Sequence, residues 1–319
     1  MARRRGDLLA VHGVRVGHSS DSSGRTGVTA ILFEDGSPTV IDVRGGASGT
    51  YDTASLSLEA TFGRRWAIFF SGGSLYGLDA AVGVRSELVA EGAGLRAFGS
   101  KHPLASISGA VIFDLGPELR ELPDYAALVR AAAAAARADR LAQGRVGAGS
   151  GATVAKYLGR AAGRPGGLGS AARHFGGDRS VGVLAVVNAA GAIRDPSNGR
   201  WLAVARGPRG RPVPPSALPP GPLEGRGTTV ALVATDLPLS RPELARVASI
   251  THAGLARAIV PYLTSVDGDL VFAVTTASTR PEGAEKRPGA RADLVGRLAA
   301  DAAVDAVVSA VAPRRTPSA

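Results

Sequence analysis

A segment rich in proline and glycine, residues 206–227, constrains the fold of this 319-residue chain more than any other feature. The segment holds seven prolines and five glycines in 22 residues. Proline has no backbone N–H group to donate, and glycine loses more conformational entropy on ordering than any other residue. We therefore predict a long irregular loop, termed the linker, and loops of this length tend to be functional or flexible. The linker runs directly into Thr228 and a predicted strand.

Composition excludes several kinds of chemistry. The chain has no cysteine, which excludes disulfide bonds, thiolate metal sites, iron–sulfur clusters and a cysteine nucleophile. Hydrophobic residues make up 45% of the chain, enough for a sizeable core. The sequence has no apolar run long enough for a transmembrane helix, and the N-terminal arginines precede no signal-peptide core. We therefore expect a cytoplasmic protein with no membrane partner.

The formal net charge of +10 raises the question of nucleic-acid binding. Aromatic residues are only 5% of the chain, and the arginines are scattered along it rather than concentrated in one stretch. Of the 37 basic residues only three are lysines. This preference for arginine over lysine along the whole chain indicates a bias in codon usage rather than a binding surface. We therefore expect no nucleic-acid partner.

Hydrophobic patterns predict alternating strands and helices. Two β-rich runs, residues 28–33 and 39–43, flank a Gly/Pro turn and predict a hairpin. Further strands are predicted at residues 66–70, 110–113, 181–187, 229–234 and 270–274, and helices at 78–90, 123–141, 242–259 and 292–312. The predicted core face of the last helix consists of Leu294, Leu298, Val304, Val308 and Val311. Several strands look antiparallel, which favours a layered α/β or α+β domain.

Three motifs resemble known sites but lack the spacing that those sites need. The glycines at 147–151 are not followed by the Lys-Ser/Thr pair of a nucleotide-binding loop, because Lys156 comes five residues later. Ser74 follows a strand and two glycines as in a nucleophile elbow, but its next glycine is one residue too far, which indicates a tight turn. No histidine pair has metal-ligand spacing, so we expect no metal and no other cofactor.

Four polar residues are candidates for catalysis. Lys156 is one of few lysines in an arginine-rich chain, and lysine can lose its proton when buried, whereas arginine cannot. Asn188 ends a predicted strand, where its amide could stabilise an oxyanion or cap a turn. Asp267 and Asp269 precede another strand and could orient a nucleophile or bind calcium, although no further acids follow at calcium-loop spacing.

Seven segments, in order along the chain, resemble the self-processing L-aminopeptidase/D-esterase family, which includes the nylon-oligomer endo-hydrolases. They are residues 13–18, 42–46, 71–81, 147–156, 187–191, 227–229 and 267–269. The resemblance implies a four-layer αββα sandwich, an α/β (α+β) fold similar to that of the N-terminal-nucleophile (Ntn) hydrolases. It also implies a homo-oligomer of processed chain pairs.

The resemblance assigns roles to individual residues. The precursor would cut itself between Gly227 and Thr228 within a single catalytic domain. The products would be an α-chain, residues 1–227 with the linker at its end, and a β-chain, residues 228–319, that begins with the nucleophile. The implied catalytic residues are Thr228, Lys156, Asn188, Asp267 and Asp269. The residues implied in substrate binding are Arg44, Gly45, Gly72, Gly73 and Ser74.

The implied activity is hydrolysis of short peptides, amides or esters through a Thr228 acyl-enzyme. Two alternatives remain: a glutamate/ornithine acetyltransferase-like enzyme, which also cuts itself before a threonine, and an inactive binding or assembly protein. The sequence departs from the family pattern at three places. Gly227 replaces the asparagine of many relatives, residues 48–52 differ from the usual loop that recognises the substrate end, and Phe113 stands where relatives place a tyrosine near the oxyanion.

Overall fold

The computed structural model describes residues 6–97, 99–117, 119–218, 221–277, 287 and 289–312. The strands are β1 (Val14–Ser20), β2 (Gly27–Val43), β3 (Gly49–Tyr51), β4 (Arg64–Ser71), β5 (Ile107–Val111), β6 (Thr153–Val154), β7 (Arg164–Pro165), β8 (Gly167–Phe175), β9 (Arg179–Asn188), β10 (Ala192–Arg194), β11 (Trp201–Ala203), β12 (Ala205–Arg206), β13 (Pro212–Val213), β14 (Thr228–Thr235), β15 (Ile259–Val260) and β16 (Leu270–Thr275). The α-helices are α1 (Ala80–Ala90), α2 (Tyr125–Ala134), α3 (Arg241–Ala258) and α4 (Ala290–Val311). Short 3₁₀ helices lie at Leu8–Ala10, Ala54–Leu56, Ser74–Asp79, Gly147–Gly149, Arg160–Ala162, Pro208–Gly210 and Pro215–Ala217.

Strand β2 is long enough to belong to two halves of the main sheet. The strand order is β3-β5-β4-β2-β16-β14-β9-β8, and β1 pairs with β2. The first part of β2 pairs with β1 and β4, and its last part pairs with β16. The predicted hairpin at 28–43 is therefore wrong, because the turn-like residues form an irregularity inside one strand. Its pairing with β4 shifts register between Leu32 and Ser37, where Gly36 has a φ of 64°.

Three hydrophobic cores separate four layers. Alternate residues of β14 point to opposite faces, so that Val230 and Leu232 enter a central core while Val233 enters an outer one. In the central core, the rings of Phe70 in β4 and Phe272 in β16 lie 6.1 Å apart. Helices α3 and α4 cover the outer face of the β14 half, and α1 and α2 cover the outer face of the β4 half. The layers therefore follow the predicted αββα order.

Helix α4 packs on the sheet mainly with small residues. Of its predicted core face, Val304 is buried and Leu298, Val308 and Val311 pack partly buried against the core, whereas the prediction is wrong for Leu294. Its buried residues are mostly alanines, while Leu294 is 37% exposed. The helix lies very close to the sheet: a Cβ atom added to Gly169 of β8 would lie 1.9 Å from the Ala306 carbonyl oxygen. A Cβ atom on Gly254 of α3 would lie 2.1 Å from the Ala300 carbonyl oxygen. These close approaches leave no room for larger side chains at the points of contact, and Leu294 lies outside the core.

Close helix packing also explains two strands that the sequence patterns did not predict. Strands β1 and β8 carry glycine where a helix crosses them, which weakens the usual β-branched signal. A Cβ atom on Gly17 of β1 would lie 1.9 Å from the Ala132 carbonyl oxygen of α2. Helix α2 ends earlier than predicted because Arg137 forms an antiparallel bridge with Val16.

The linker contains no α-helix and no central strand in its described part, residues 206–218 and 221–227. It is nevertheless ordered locally by the small hairpin of β12 and β13 and by two 3₁₀ turns. The Tyr157 hydroxyl donates to the Val213 carbonyl oxygen at 2.6 Å and accepts from the Ala205 N–H at 2.9 Å. A tyrosine thus holds this hairpin against a small separate core.

Candidate functional site

Strand register brings the candidate catalytic residues together at one end of the main sheet. Strands β9 and β14 are antiparallel, and Thr228 pairs directly with Asn188. Strand β16 runs parallel to β14 on the other side, and a bridge joins Gly227 to Asp267 in the turn before β16. Thr228 therefore lies between the amide of Asn188 and the Asp267–Asp269 turn.

The carbonyl oxygen of Gly227 accepts two hydrogen bonds at the start of β14. The Thr228 hydroxyl donates to it at 2.5 Å, and the backbone N–H of Gly268 donates at 3.1 Å. Thr228 is only 4% exposed. The hydroxyl of Thr228 thus lies against the peptide group that precedes it, and Gly268 polarises the same carbonyl.

Gly227 has no room for a side chain. A Cβ atom at this position would lie 2.2 Å from the Ala190 nitrogen and 2.4 Å from Asp267 Oδ1. Both distances are shorter than any tolerated contact, and the nearest atom belongs to the backbone. This crowding gives a physical reason for glycine at position 227.

Lys156 is buried beside Asn188. Its Nζ donates to the Asn188 carbonyl oxygen at 2.8 Å and to Asn188 Oδ1 at 2.9 Å. Burial lowers the pKa of Lys156 to about 7, although the Asp267 charge raises it in part. Asn188 Nδ2 donates to the Phe113 carbonyl oxygen at 3.0 Å. A lysine poised near neutral pH therefore contacts the residue opposite Thr228.

The two aspartates are each 1% exposed and bind backbone N–H groups around Thr228. Asp267 Oδ1 accepts from Ala190 at 3.0 Å. Asp269 Oδ1 accepts from Thr229 at 2.6 Å, and its Oδ2 accepts from Leu263 at 3.0 Å. Burial and the neighbouring Asp267 charge raise the pKa of Asp269 to about 7. The pair orients the backbone on both sides of the nucleophile candidate.

A cavity of about 280 Å³, termed the Thr228 cavity, opens beside the hydroxyl. Its apolar walls include Leu75, Val111 and Phe113, and its polar lining includes Ser48, Ser74, Arg226 and Thr228. Phe113 is 42% exposed, and its ring has no hydroxyl that could donate to an oxyanion. Any oxyanion formed here must therefore use other hydrogen-bond donors.

The residues expected in substrate binding fall in three places. Ser74 lines the Thr228 cavity, but the other four residues do not. Arg44 turns away and contacts Asp42 at 2.8 Å and Ser249 Oγ at 2.6 Å. The Gly45 N–H donates to the Asp269 carbonyl oxygen at 2.9 Å. The segment after β2 therefore braces the aspartate turn rather than the cavity.

Gly72 and Gly73 border a buried carboxylate that sequence reasoning missed. The Gly73 N–H donates to Asp114 Oδ1 at 2.7 Å, and a Cβ atom on Gly72 would lie 2.2 Å from Asp114 Oδ2. Sequence reasoning also missed the Gly268 N–H, since a backbone donor leaves no side-chain signal. The sequence shows only a glycine between two aspartates at this place. The structure explains that glycine, because a Cβ atom on Gly268 would lie 2.9 Å from Thr228 Oγ1.

Neither a metal cluster nor a membrane span is found in the described part of the chain. No group of three or more His, Asp or Glu side chains among the described residues could hold a metal ion. No described helix has the length and apolar character needed to cross a lipid bilayer.

Comparison with known proteins identifies the fold and the family. An L-aminopeptidase D-Ala-esterase/amidase from Ochrobactrum anthropi, whose structure is described as a variant of the Ntn hydrolase fold, aligns with a TM-score of 0.66. The two are 23% identical, and the alignment covers 96% of this chain and 86% of that chain. The fold class is thus the predicted one. The chain belongs to Peptidase family S58, whose model matches residues 7–316.

Two relatives cover nearly the same length. An uncharacterized aminopeptidase from Mycobacterium tuberculosis is 36% identical over 332 residues, covering 95% of this chain and 93% of the relative. A 6-aminohexanoate-oligomer endohydrolase from Kocuria sp. is 33% identical over 311 residues, covering 93% of this chain and 84% of the relative. The expected family is confirmed, and these comparisons give no support to the acetyltransferase-like alternative.

Proposed function

We propose that this chain is a self-cleaving hydrolase that acts on short peptides, amides or esters through an acyl-enzyme on Thr228. The observation that carries the proposal is the Thr228 hydroxyl, held 2.5 Å from the Gly227 carbonyl oxygen beside a cavity. Membership of a peptidase family and the aminopeptidase and endohydrolase relatives support the reaction class. The runner-up, an inactive binding protein, would keep the fold without this reactivity.

Self-cleavage would begin with attack of Thr228 Oγ1 on the carbonyl carbon of Gly227. The new C–O bond forms as the C–N bond to Thr228 breaks, and the hydroxyl proton is transferred to the leaving nitrogen. The Gly268 N–H, 3.1 Å from the carbonyl oxygen, would stabilise the oxyanion. Water then hydrolyses the ester, which leaves a carboxylate on Gly227 and a free amine on Thr228.

The mature site would use the new amine as a base. An α-amine titrates near ~8, so it can accept the proton of its own hydroxyl. Lys156, with its pKa lowered to about 7, would share or relay that proton. Asn188 Nδ2 donates one of its two hydrogens to the Phe113 carbonyl oxygen, and the second could bind the substrate oxyanion. Asp267 and Asp269 would hold the backbone around the amine in place.

The substrate would be small and partly apolar. The Thr228 cavity of about 280 Å³ is slightly smaller than typical ligand pockets, which range from ~300 to 1,000 Å³. Its walls of Leu75, Val111 and Phe113 suit an aliphatic chain, as in an amide oligomer or a short peptide. We propose further that processed pairs assemble into a homo-oligomer in the cytoplasm, which size-exclusion chromatography with light scattering would measure.

Intact mass and a denaturing gel test the proposal directly. The wild-type protein should yield chains of 227 and 92 residues, because cleavage after Gly227 leaves 319 − 227 = 92. Thr228→Ala should remain one chain and hydrolyse no amide, whereas Thr228→Ser, which keeps a hydroxyl, should still be cut. An acylating probe should label Thr228 in the processed protein. A wild-type chain that hydrolyses amides while uncut would refute the mechanism, and one neither cut nor labelled would favour a binding protein.

A further inference from the structure

A second cavity of about 510 Å³ adjoins the site and is lined by four arginines. We call it the arginine cavity, and its basic residues are Arg25, Arg145, Arg160 and Arg164. Asp114 also lines it and directly follows Phe113, which lines the Thr228 cavity. The proposed reaction uses none of the four arginines.

The arginines gather more positive charge than the cavity neutralises. Within the described residues, no ion pair involves Arg25, Arg145 or Arg164. Asp114 is the one carboxylate among the described lining residues. It is 3% exposed, accepts from the Gly73 N–H and interacts electrostatically with Arg160, which leaves the other three arginines without a paired carboxylate in the described part of the cavity wall. Like charges around a cavity repel one another, and an anion placed between them removes that repulsion.

We propose that the arginine cavity binds an oxyanion group, a carboxylate or a phosphate. The guanidinium fork pairs with both groups through two parallel N–H···O bonds, and the negative charge of the acceptor makes these bonds stronger than those to a neutral ligand. The occupant is either the free carboxylate of an amide substrate or a separate inorganic anion. Both share the same chemistry at the arginines.

A bound anion would be linked to the catalytic residues through one wall. Thr153 lines the arginine cavity, and its N–H donates to Asn188 Oδ1 at 2.9 Å. The same oxygen accepts from Lys156 Nζ at 2.9 Å. An occupant that contacts the Thr153 wall therefore lies one residue away from the amide opposite Thr228. An anion bound in the arginine cavity should therefore also change the rate of the proposed reaction.

Isothermal titration with inorganic phosphate at low ionic strength tests binding. The full chain should bind phosphate saturably, and the double variant Arg145→Gln/Arg164→Gln should bind at least tenfold more weakly. The matched control is Arg96→Gln/Arg130→Gln, which removes the same charge from two exposed arginines outside the cavity and should bind as wild type does. Equal loss in both variants, or no saturable binding to wild type, would overturn the proposal.

Two further measurements identify the source of the anion and keep the two proposals separate. Thr228→Ala should bind phosphate like wild type, so failure of self-cleavage leaves the binding result intact. If the substrate supplies the anion, kcat/KM for a free-acid amide should exceed that for its carboxamide, and the cavity variant should abolish the difference. If a separate anion binds, phosphate should change hydrolysis of the carboxamide. If neither effect is observed, the proposed link between the arginine cavity and the catalytic residues is wrong.

Discussion

At the scale of single residues, Lys156 combines deep burial with a charge that neutral pH can remove. It is 3% exposed, and burial lowers its pKa from 10.5 to about 7. Below that pH the side chain is a cation held by Asn188, and above it the amine is neutral and can accept a proton. Arginine at this place would stay charged throughout.

The pH profile of kcat/KM should reflect this group. We expect kcat/KM to rise as the pH passes through about 7, where Lys156 and the neighbouring Asp269 both lose protons. Lys156→Arg should flatten the rise and lower kcat/KM at pH 7.5 by a factor on the order of 10²–10⁴, as for a lost proton-transfer group. The exposed Lys101→Arg variant serves as the control. An unchanged profile in Lys156→Arg would remove the lysine from the mechanism.

Gly227 is the second residue whose chemistry follows from its surroundings. We expect Gly227→Ala to be cut slowly or not at all, because its Cβ would displace the Ala190 nitrogen, which lies 2.2 Å away. In a Thr228→Ala background, which isolates folding from processing, the variant should lose about 1–3 kcal/mol of stability by overpacking. Intact mass follows the first effect and thermal unfolding the second.

Gly221 provides the matched control for this substitution. It also lies in the linker, but a Cβ atom there would meet nothing within 4 Å. Gly221→Ala should therefore be processed and unfold like wild type. Should Gly227→Ala behave in the same way, the crowding around the cut peptide would have no functional consequence.

At the scale of elements, close contacts between helices and strands decide which residues form the core. Strand β8 and helix α4 approach so closely that alanine and glycine replace the branched residues of an ordinary interface. Helix α3 is different, because a capping box of Ser240 and Glu243 and a proline in its first turn specify its start locally. The sequence therefore predicts α3 well, whereas its prediction of the α4 core face is wrong at Leu294 and misses the alanines that form most of the contact.

The β8–α4 contact can be tested by adding one methyl group. Gly169→Ala should lower the free energy of unfolding by about 1–3 kcal/mol, since its Cβ would lie 1.9 Å from the Ala306 carbonyl oxygen. Gly6→Ala, with nothing within 4 Å, should be neutral or slightly stabilising. Urea denaturation of both variants measures the difference. Equal stabilities would show that α4 can shift away from β8 without loss.

At the scale of the whole molecule, the proposed cut separates the chain at the centre of a sheet. Strand β14 would begin the second product, yet it pairs with β9 from the first product along all eight of its residues. Strand β16, also from the second product, pairs with β2 from the first. Both products therefore contribute to the same central and outer cores.

The two products should consequently remain one folded unit after cleavage. We expect chains 1–227 and 228–319 to co-elute in native size-exclusion chromatography and to separate only in denaturant. The uncut Thr228→Ala protein, run in parallel, gives the elution position of the intact unit. Dissociation of the wild-type chains under native conditions would contradict the shared cores.

The amino-acid sequence alone determined the elements whose residues carry a local signal. Strands β9, β14 and β16 contain continuous apolar runs with several valines, a pattern typical of strands that are buried on both faces. The missing cysteine excluded thiol chemistry, and the linker predicted a long irregular loop before Thr228. The segments that resemble the family predict catalytic roles for Thr228, Lys156 and Asn188, and these roles stay predictions until they are measured.

Only the tertiary structure decided which residues meet. Asn188 and Asp267 are far apart along the chain and meet beside Thr228 through the β9–β14–β16 register, and Lys156 joins them through its hydrogen bonds to Asn188. The tertiary structure also directs Arg44 towards Ser249, away from the Thr228 cavity. It places the Gly268 N–H as a donor to the Gly227 carbonyl oxygen. Such contacts depend on long-range packing and backbone geometry, and neither leaves a periodic pattern in the sequence from which it could be read.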